Sequence, residues 1–285
     1  MKTIHVFGDS TTQEYKRAEY PQQGWPYYIQ DAFCDDVTVK NYGHGGYSLK
    51  NFIYSGDYVK GLVSENEPQK SEWRTILDRI NPGDYFLFYW AGINDMLQKG
   101  FDCYRSCKHG DYVRDWQNTS RESYIYIGEG LGEYKFFTVT SKVDEMVQII
   151  CRMLADVKEK GATPIVIRGT GKYYVVGDDD KNVISVVREY TRATEDAAKA
   201  SGCLFLDVGT SFEKEFYKIG YEKVLEEYFL SKKAYERFGK RQEVTRFIPD
   251  VDDNVHYNED GAKKIANIFL EELKKSGCEL SKYLK

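Results

Sequence analysis

Five short, almost continuously apolar runs constrain this chain more than any other feature. They are Ile4-His5-Val6-Phe7, Val37-Thr38-Val39-Lys40-Asn41, Tyr85-Phe86-Leu87-Phe88-Tyr89-Trp90, Pro164-Ile165-Val166-Ile167-Arg168 and Leu204-Phe205-Leu206-Asp207-Val208. A strand that alternates apolar and polar residues covers one face of a sheet. A strand apolar at nearly every position has to be covered on both faces, which is the signature of a parallel sheet. Turn signals introduce three of the runs: Asn81-Pro82-Gly83-Asp84 before the third, Gly161 before the fourth and Gly202 before the fifth.

Helical periodicity lies between the runs. Val143, Val147, Ile150, Leu154 and Val157 recur at steps of three and four, as do Ala262, Ile265, Ala266, Phe269, Leu270 and Leu273, with Gly277 placed to stop the second helix. Strand–helix alternation with right-handed crossovers predicts an α/β fold, a three-layer α/β/α sandwich around a five-stranded parallel sheet. Neither an internal repeat nor a low-complexity linker divides the chain, so residues 1–285 read as one domain. Two stretches break the rhythm. Residues 97–137 carry Phe101, Tyr104, Tyr112, Trp116, Tyr124, Tyr126 and Tyr134, and residues 211–250 form a polar, aromatic, helix-rich insertion. Insertions in such folds fall at loop ends, where ligands bind.

Composition narrows the partners. With 41% hydrophobic residues the chain can fill a core, and a net charge of −5 argues against nucleic acid, whose binding rests on basic groups neutralising phosphates. No run approaches the length that spans a bilayer, and the N-terminal apolar stretch is too short for a secretory signal, so a cytoplasmic protein without a membrane partner is expected. The six cysteines, Cys34, Cys103, Cys107, Cys151, Cys203 and Cys278, include no C-x-x-C pair. Cys103 and Cys107, with His109 nearby, give only a weak zinc signal, so idle thiols and no metal are expected. Homo-oligomer formation is left open by the sequence.

In an open α/β sheet, ligands bind beyond the carboxyl ends of the strands. The first strand is followed by Gly8-Asp9-Ser10-Thr11-Thr12, the second by a loop containing His44-Gly45-Gly46-Tyr47-Ser48, and the third by Ala91-Gly92-Ile93-Asn94-Asp95. Asp253-Asn254-Val255-His256 stands just before the last helix. Together these make a complete set for acyl transfer. A serine hydroxyl needs a base, which His256 can supply, and Asp253 can orient and charge-stabilise its imidazole. A tetrahedral intermediate needs donors for its oxyanion, and the backbone N–H groups of Ser10 and Gly46 with the Asn94 amide offer three. Taken singly, each segment has another reading. Ser10 and Asn94-Asp95 could cap helices, the glycines could form a turn or cradle a phosphate, and Asp253 and His256 could be surface residues. Four such segments, in order and three of them at strand ends, favour the catalytic reading. Among the smaller candidates, His44, Trp25 and Asp9 are read as substrate-binding residues, with Trp25 also placed to pack near the site, Asp9 to brace the turn beside Ser10, and His5 to be structural.

With these blocks the chain resembles the SGNH, or GDSL, hydrolases. The matching residues are Ser10 in Gly8-Asp9-Ser10, Gly46 after Asn41, Asn94 in Gly92-x-Asn94-Asp95, and His256 in Asp253-x-x-His256. The resemblance implies a flavodoxin-like sheet of strand order 2-1-3-4-5, a shallow open site and ester hydrolysis without a cofactor. It is most similar to the rhamnogalacturonan acetylesterase branch, through Thr11 after the serine, Gln23-Gly24-Trp25 opening the first helix, Gly45-Gly46-Tyr47-Ser48, the stretch from Lys158 to Pro164, and Tyr190-Thr191-Arg192-Ala193-Thr194. Ile93 stands where that branch often carries histidine. The expected activity is therefore removal of acetyl groups from an acetylated oligosaccharide. A lysophospholipase or thioesterase, and a non-catalytic carbohydrate-binding homologue, are the alternatives.

Overall fold

The computed structural model describes residues 2–16, 19–53, 71–96, 120–126, 133–139, 141–239 and 253–285. Five strands form one parallel sheet: β1 (Lys2–Gly8), β2 (Val37–Gly43), β3 (Tyr85–Trp90), β6 (Thr163–Arg168) and β9 (Leu204–Leu206), in the order β2-β1-β3-β6-β9. Counting only these five, the order is the expected 2-1-3-4-5. Two antiparallel pairs stand apart from it, β4 (Ser120–Tyr126) with β5 (Glu133–Val139), and β7 (Tyr173–Val175) with β8 (Val183–Ser185).

All six residues of β3 are buried, and their alternation decides which core each one enters. Phe86, Phe88 and Trp90 join Phe7 and Val166 in one cluster, under α1 (Leu49–Ile53), α2 (Glu72–Leu77), α3 (Val143–Glu159) and α4 (Arg188–Ala200). Tyr85, Leu87 and Tyr89 join Ile4, Val6, Ile165 and Ile167 in the other. That face is covered by α5 (Val208–Ile219), α6 (Tyr221–Tyr228) and α8 (Glu259–Ser276), with α7 (Lys232–Phe238) following α6. Gly277, at φ 64, ends α8 in the left-handed conformation that the sequence assigns to it.

Two expectations about elements need correction. Trp25 opens no α-helix: Trp25–Tyr28 is a four-residue 3-10 turn, closed by the Ile29 N–H donating to Pro26 O at 3.4 Å. Pro26 brings no N–H of its own to a longer ladder. The fifth strand stops at Leu206, because the Asp207 side chain accepts the Thr210 N–H at 3.0 Å and starts α5. The described part of residues 211–250 is mostly helical, as expected. Most of 97–137, including Cys103, Cys107 and His109, lies outside the described residues. Cys34, Cys151, Cys203 and Cys278 are free thiols. Among the described residues no helix is long and apolar enough to cross a membrane.

His5 sits in the middle of β1 with no exposure. Its Nε2 lies 3.1 Å from Asp84 Oδ2 and its Nδ1 3.1 Å from the Tyr42 hydroxyl. Burial lowers the imidazole below its ordinary 6.5, against the opposite pull of Asp84. Burial alone would raise Asp84, but the Thr3 and Asn81 N–H groups and His5 outweigh it and hold the carboxyl below its usual range. An imidazole harder to protonate in the fold than in the open chain costs stability as pH falls from 6.5 towards its folded value. A carboxyl held low likewise contributes stability that is present above its unfolded value and lost on further acidification. We therefore expect the urea midpoint to fall between pH 7.5 and pH 5.5, and to fall less in His5→Asn. An equal slope in the two proteins would show that His5 is not the group responsible.

Candidate active site

The sheet order reverses direction beside β1, since the chain passes from β1 outward to β2 and then returns to β3 on the other side. Loops leaving β1 and β3 turn to opposite faces there and leave a crevice at the strands' carboxyl ends. Ser10 stands two residues past β1 and Asn94 four past β3.

Asp9 builds the turn that presents Ser10. Its Oδ1 accepts the Thr11 N–H at 2.9 Å and the Thr11 hydroxyl at 2.7 Å, while its carbonyl accepts the N–H groups of Thr12 and Gln13 at 3.0 and 3.1 Å. The carboxyl is fully buried, and burial raises it above the usual carboxylate range. With its carboxyl buried and committed to these bonds, Asp9 braces the turn.

At the other end of the chain, Asp253 Oδ1 accepts the N–H groups of Val255 and His256 at 2.8 and 3.1 Å. This closed turn brings side chains three apart onto one side. Asp253 Oδ2 then lies 2.6 Å from His256 Nδ1, and His256 Nε2 lies 2.9 Å from Ser10 Oγ. Burial would raise the Asp253 carboxyl, but the His256 ring and the two backbone N–H groups outweigh it and hold Asp253 below its ordinary value. The imidazole is thus fixed between a carboxylate and a hydroxyl, an arrangement able to take a proton from the hydroxyl.

The second and third loops meet beside this line. A β-carbon added to Gly45 would stand 3.7 Å from Ser10 Cβ, and the Asn94 amide donates to Tyr47 O at 2.9 Å. His44 stacks on Tyr47 with ring centroids 3.6 Å apart, on a partly exposed surface. Asp95, next to Asn94, is fully buried and accepts from Trp90 Nε1 at 2.8 Å and Leu49 N at 3.2 Å. Burial nonetheless pushes its carboxyl up to about 7. Trp25 is a correction. It has no exposed surface and packs between Tyr89 and Phe269, with centroids 5.3 and 5.1 Å away, so it belongs to the core. Among the described residues, no group of three or more His, Cys, Asp or Glu is arranged to hold a metal ion.

A model of the GDSL-like lipase/acylhydrolase family matches residues 6–264. The chain belongs to that family. Across 99% of its length it is 23% identical to rhamnogalacturonan acetylesterase RhgT of Bacillus subtilis strain 168, covering 95% of that protein. Among solved structures it is similar to the Bacillus subtilis protein YxiM, with TM-score 0.61 and 22% identity over 98% of this chain. It spans only 57% of that protein's length. It is also similar to Axe2, an acetylxylan esterase of Geobacillus stearothermophilus, with TM-score 0.53 and 14% identity, covering 98% of this chain and 95% of that one. At these identities the structural likeness speaks for the fold.

In this GDSL-family chain the segment Tyr228–Leu230, at the junction of α6 and α7, clasps the histidine loop. Leu230 N–H donates to His256 O at 3.0 Å, Asp253 N–H to Leu230 O at 3.2 Å, and Asn258 N–H to Tyr228 O at 3.1 Å. Asn258 also caps α8, its Oδ1 accepting the Gly261 N–H at 2.9 Å while its Nδ2 donates to Glu227 O and Phe229 O. Behind the loop, the hydroxyls of Tyr257, Tyr89 and Thr170 form a closed buried group. Sequence reasoning missed these supports, and it missed Gln13, whose amide accepts the Gly45 N–H at 2.6 Å. The one available signal was a polar side chain a single turn beyond Ser10.

Proposed function

We propose that the protein is a serine esterase that removes acetyl or other short acyl groups from hydroxyls of an oligosaccharide, of the rhamnogalacturonan type or a related one. The observation that carries this reading is the continuous line from Asp253 through His256 to the Ser10 hydroxyl, joining the two ends of the chain. The acetylesterase names of RhgT and Axe2 support the acyl group and the carbohydrate.

Ser10 Oγ attacks the ester carbonyl carbon as its proton passes to His256 Nε2. The C–O π electrons move onto the carbonyl oxygen, which the N–H groups of Ser10 and Gly46 and the Asn94 amide stabilise. Asn94 donates one amide hydrogen to Tyr47 O, and its nitrogen carries a second. The intermediate collapses, the C–O bond to the sugar breaks, and His256 returns the proton to the departing hydroxyl. Water then attacks the acyl-enzyme with His256 again as base, releasing the acid and restoring Ser10. Asp253 stays ionised and stabilises the imidazolium each time it forms.

The test is a series of p-nitrophenyl esters from acetate to dodecanoate, together with acetate release from acetylated rhamnogalacturonan and xylan oligosaccharides. We expect kcat/KM to be highest for acetate and to fall at least tenfold by octanoate. A maximum at eight carbons or longer would instead assign the site to a lipid or thioester substrate.

A further inference from the structure

We propose that Gln13 is a positioning residue that holds the glycine loop, and with it the Gly46 N–H, against the nucleophile. The inference rests on the reading of Ser10 as nucleophile and Gly46 as an oxyanion donor, and it adds the part that keeps the two in register.

The backbone of Gln13 is held on several sides. Its N–H donates to Asp9 O at 3.1 Å. The Thr12–Gln13 segment is wedged between Gly24 and Gly43. A β-carbon at Gly24 would lie 2.4 Å from the Thr12 and Gln13 carbonyl oxygens, and one at Gly43 would lie 2.4 Å from Gln13 N. Only glycine permits backbone to approach this closely. Asn41 fastens the same seam, its Nδ2 donating to Thr12 O at 2.6 Å and its Oδ1 accepting the Gly43 N–H at 2.9 Å.

From this fixed origin the Gln13 side chain crosses to the next loop, and its Oε1 accepts the Gly45 N–H at 2.6 Å. Gly45 and Gly46 have no side chains with which to anchor themselves, and Gly46 adopts φ 79. Two side-chain amides flank the pair: Gln13 grips the N–H of Gly45, and Asn94 grips the carbonyl of Tyr47 at 2.9 Å. Pinning both ends of so short a segment sets the peptide plane that carries the Gly46 N–H. The grip needs an acceptor at position 13 and makes no use of the substrate.

The test uses Gln13→Leu, which has no acceptor, and Gln13→Glu, which keeps one. Three quantities are read: steady-state constants on p-nitrophenyl acetate, affinity for a small alkylboronic acid that forms a tetrahedral adduct, and hydrogen exchange of the Gly45 amide by NMR. In Gln13→Leu we expect kcat and boronate affinity to fall together by about 10–100-fold, KM to stay within about threefold, and Gly45 exchange to accelerate at least tenfold. In Gln13→Glu the Gly45 protection returns. Unchanged Gly45 exchange in Gln13→Leu, or a rise in KM with kcat intact, would overturn the assignment. A wild type that hydrolyses none of the acyl esters refutes the reading of Ser10 itself, a failure visible before any variant is made.

Discussion

Replacing Ser10 by alanine is expected to lower kcat by about 10^5–10^6-fold while leaving the fold in place. Among the described residues the Ser10 hydroxyl makes one hydrogen bond, the 2.9 Å contact with His256 Nε2, and its backbone carbonyl keeps the bond it receives from the Tyr15 hydroxyl at 2.7 Å. Losing a single partly buried hydroxyl costs about 1 kcal/mol or less. The turn itself is built by Asp9, Thr11 and Thr12, none of which changes. Because hydroxyl and imidazole act as a unit, His256→Ala should cost about as much as Ser10→Ala, and the double variant should lose little more. Two measurements check this. One is p-nitrophenyl acetate turnover alongside thermal unfolding of each variant. The other is the mass shift left by a fluorophosphonate, which should appear on wild type and vanish with Ser10. Equal turnover by Ser10→Ala and wild type would remove the nucleophile from the scheme.

That Ser10, Asp253 and His256 come together was legible in the sequence for a chemical reason. Few residue types can act as nucleophile, base and orienting acid, so a serine just past the first strand and an Asp-x-x-His just before the last helix carry information even without coordinates. The sheet was legible because Tyr85–Trp90 is apolar at every position and only a doubly covered strand tolerates that. What stayed hidden depends on where a side chain points. Trp25 lies beside the motif in sequence, yet its ring enters the core between Tyr89 and Phe269. Gln13 looks like any surface glutamine, and its role comes only from the loop folded across it. The same holds for the stretch 211–239. Its composition announces helices, but nothing in it announces that Tyr228–Leu230 will bond the backbone of Asp253, His256 and Asn258. Backbone-to-backbone contacts leave no trace in residue type, so a sequence cannot display them. Loops that support a site are therefore harder to read than the residues that act in it.

The second large effect is expected from Asp253→Asn, and it separates orientation of the histidine from support of the loop. Asparagine is nearly the same size, and its Oδ1 can still accept the Val255 and His256 N–H groups that close the turn, now at 2.8 and 3.1 Å. Its Nδ2 must then face His256 Nδ1, where the carboxylate oxygen stands at 2.6 Å. An amide nitrogen is only a donor, so it favours the tautomer with the imidazole proton on Nε2. That proton points at Ser10, and a ring nitrogen that already bears a hydrogen cannot accept the serine's. We expect kcat to fall by about 10^4-fold with KM within a few-fold and the unfolding midpoint close to wild type. Asp253→Ala removes the turn's acceptor as well, leaving two backbone N–H groups unmatched in a partly buried loop. It should therefore lose comparable activity and, in addition, about 1–3 kcal/mol of stability. A loss of less than tenfold in Asp253→Asn, with Asp253→Ala clearly less stable, would mean that Asp253 holds the backbone of the loop and contributes little to the state of the imidazole.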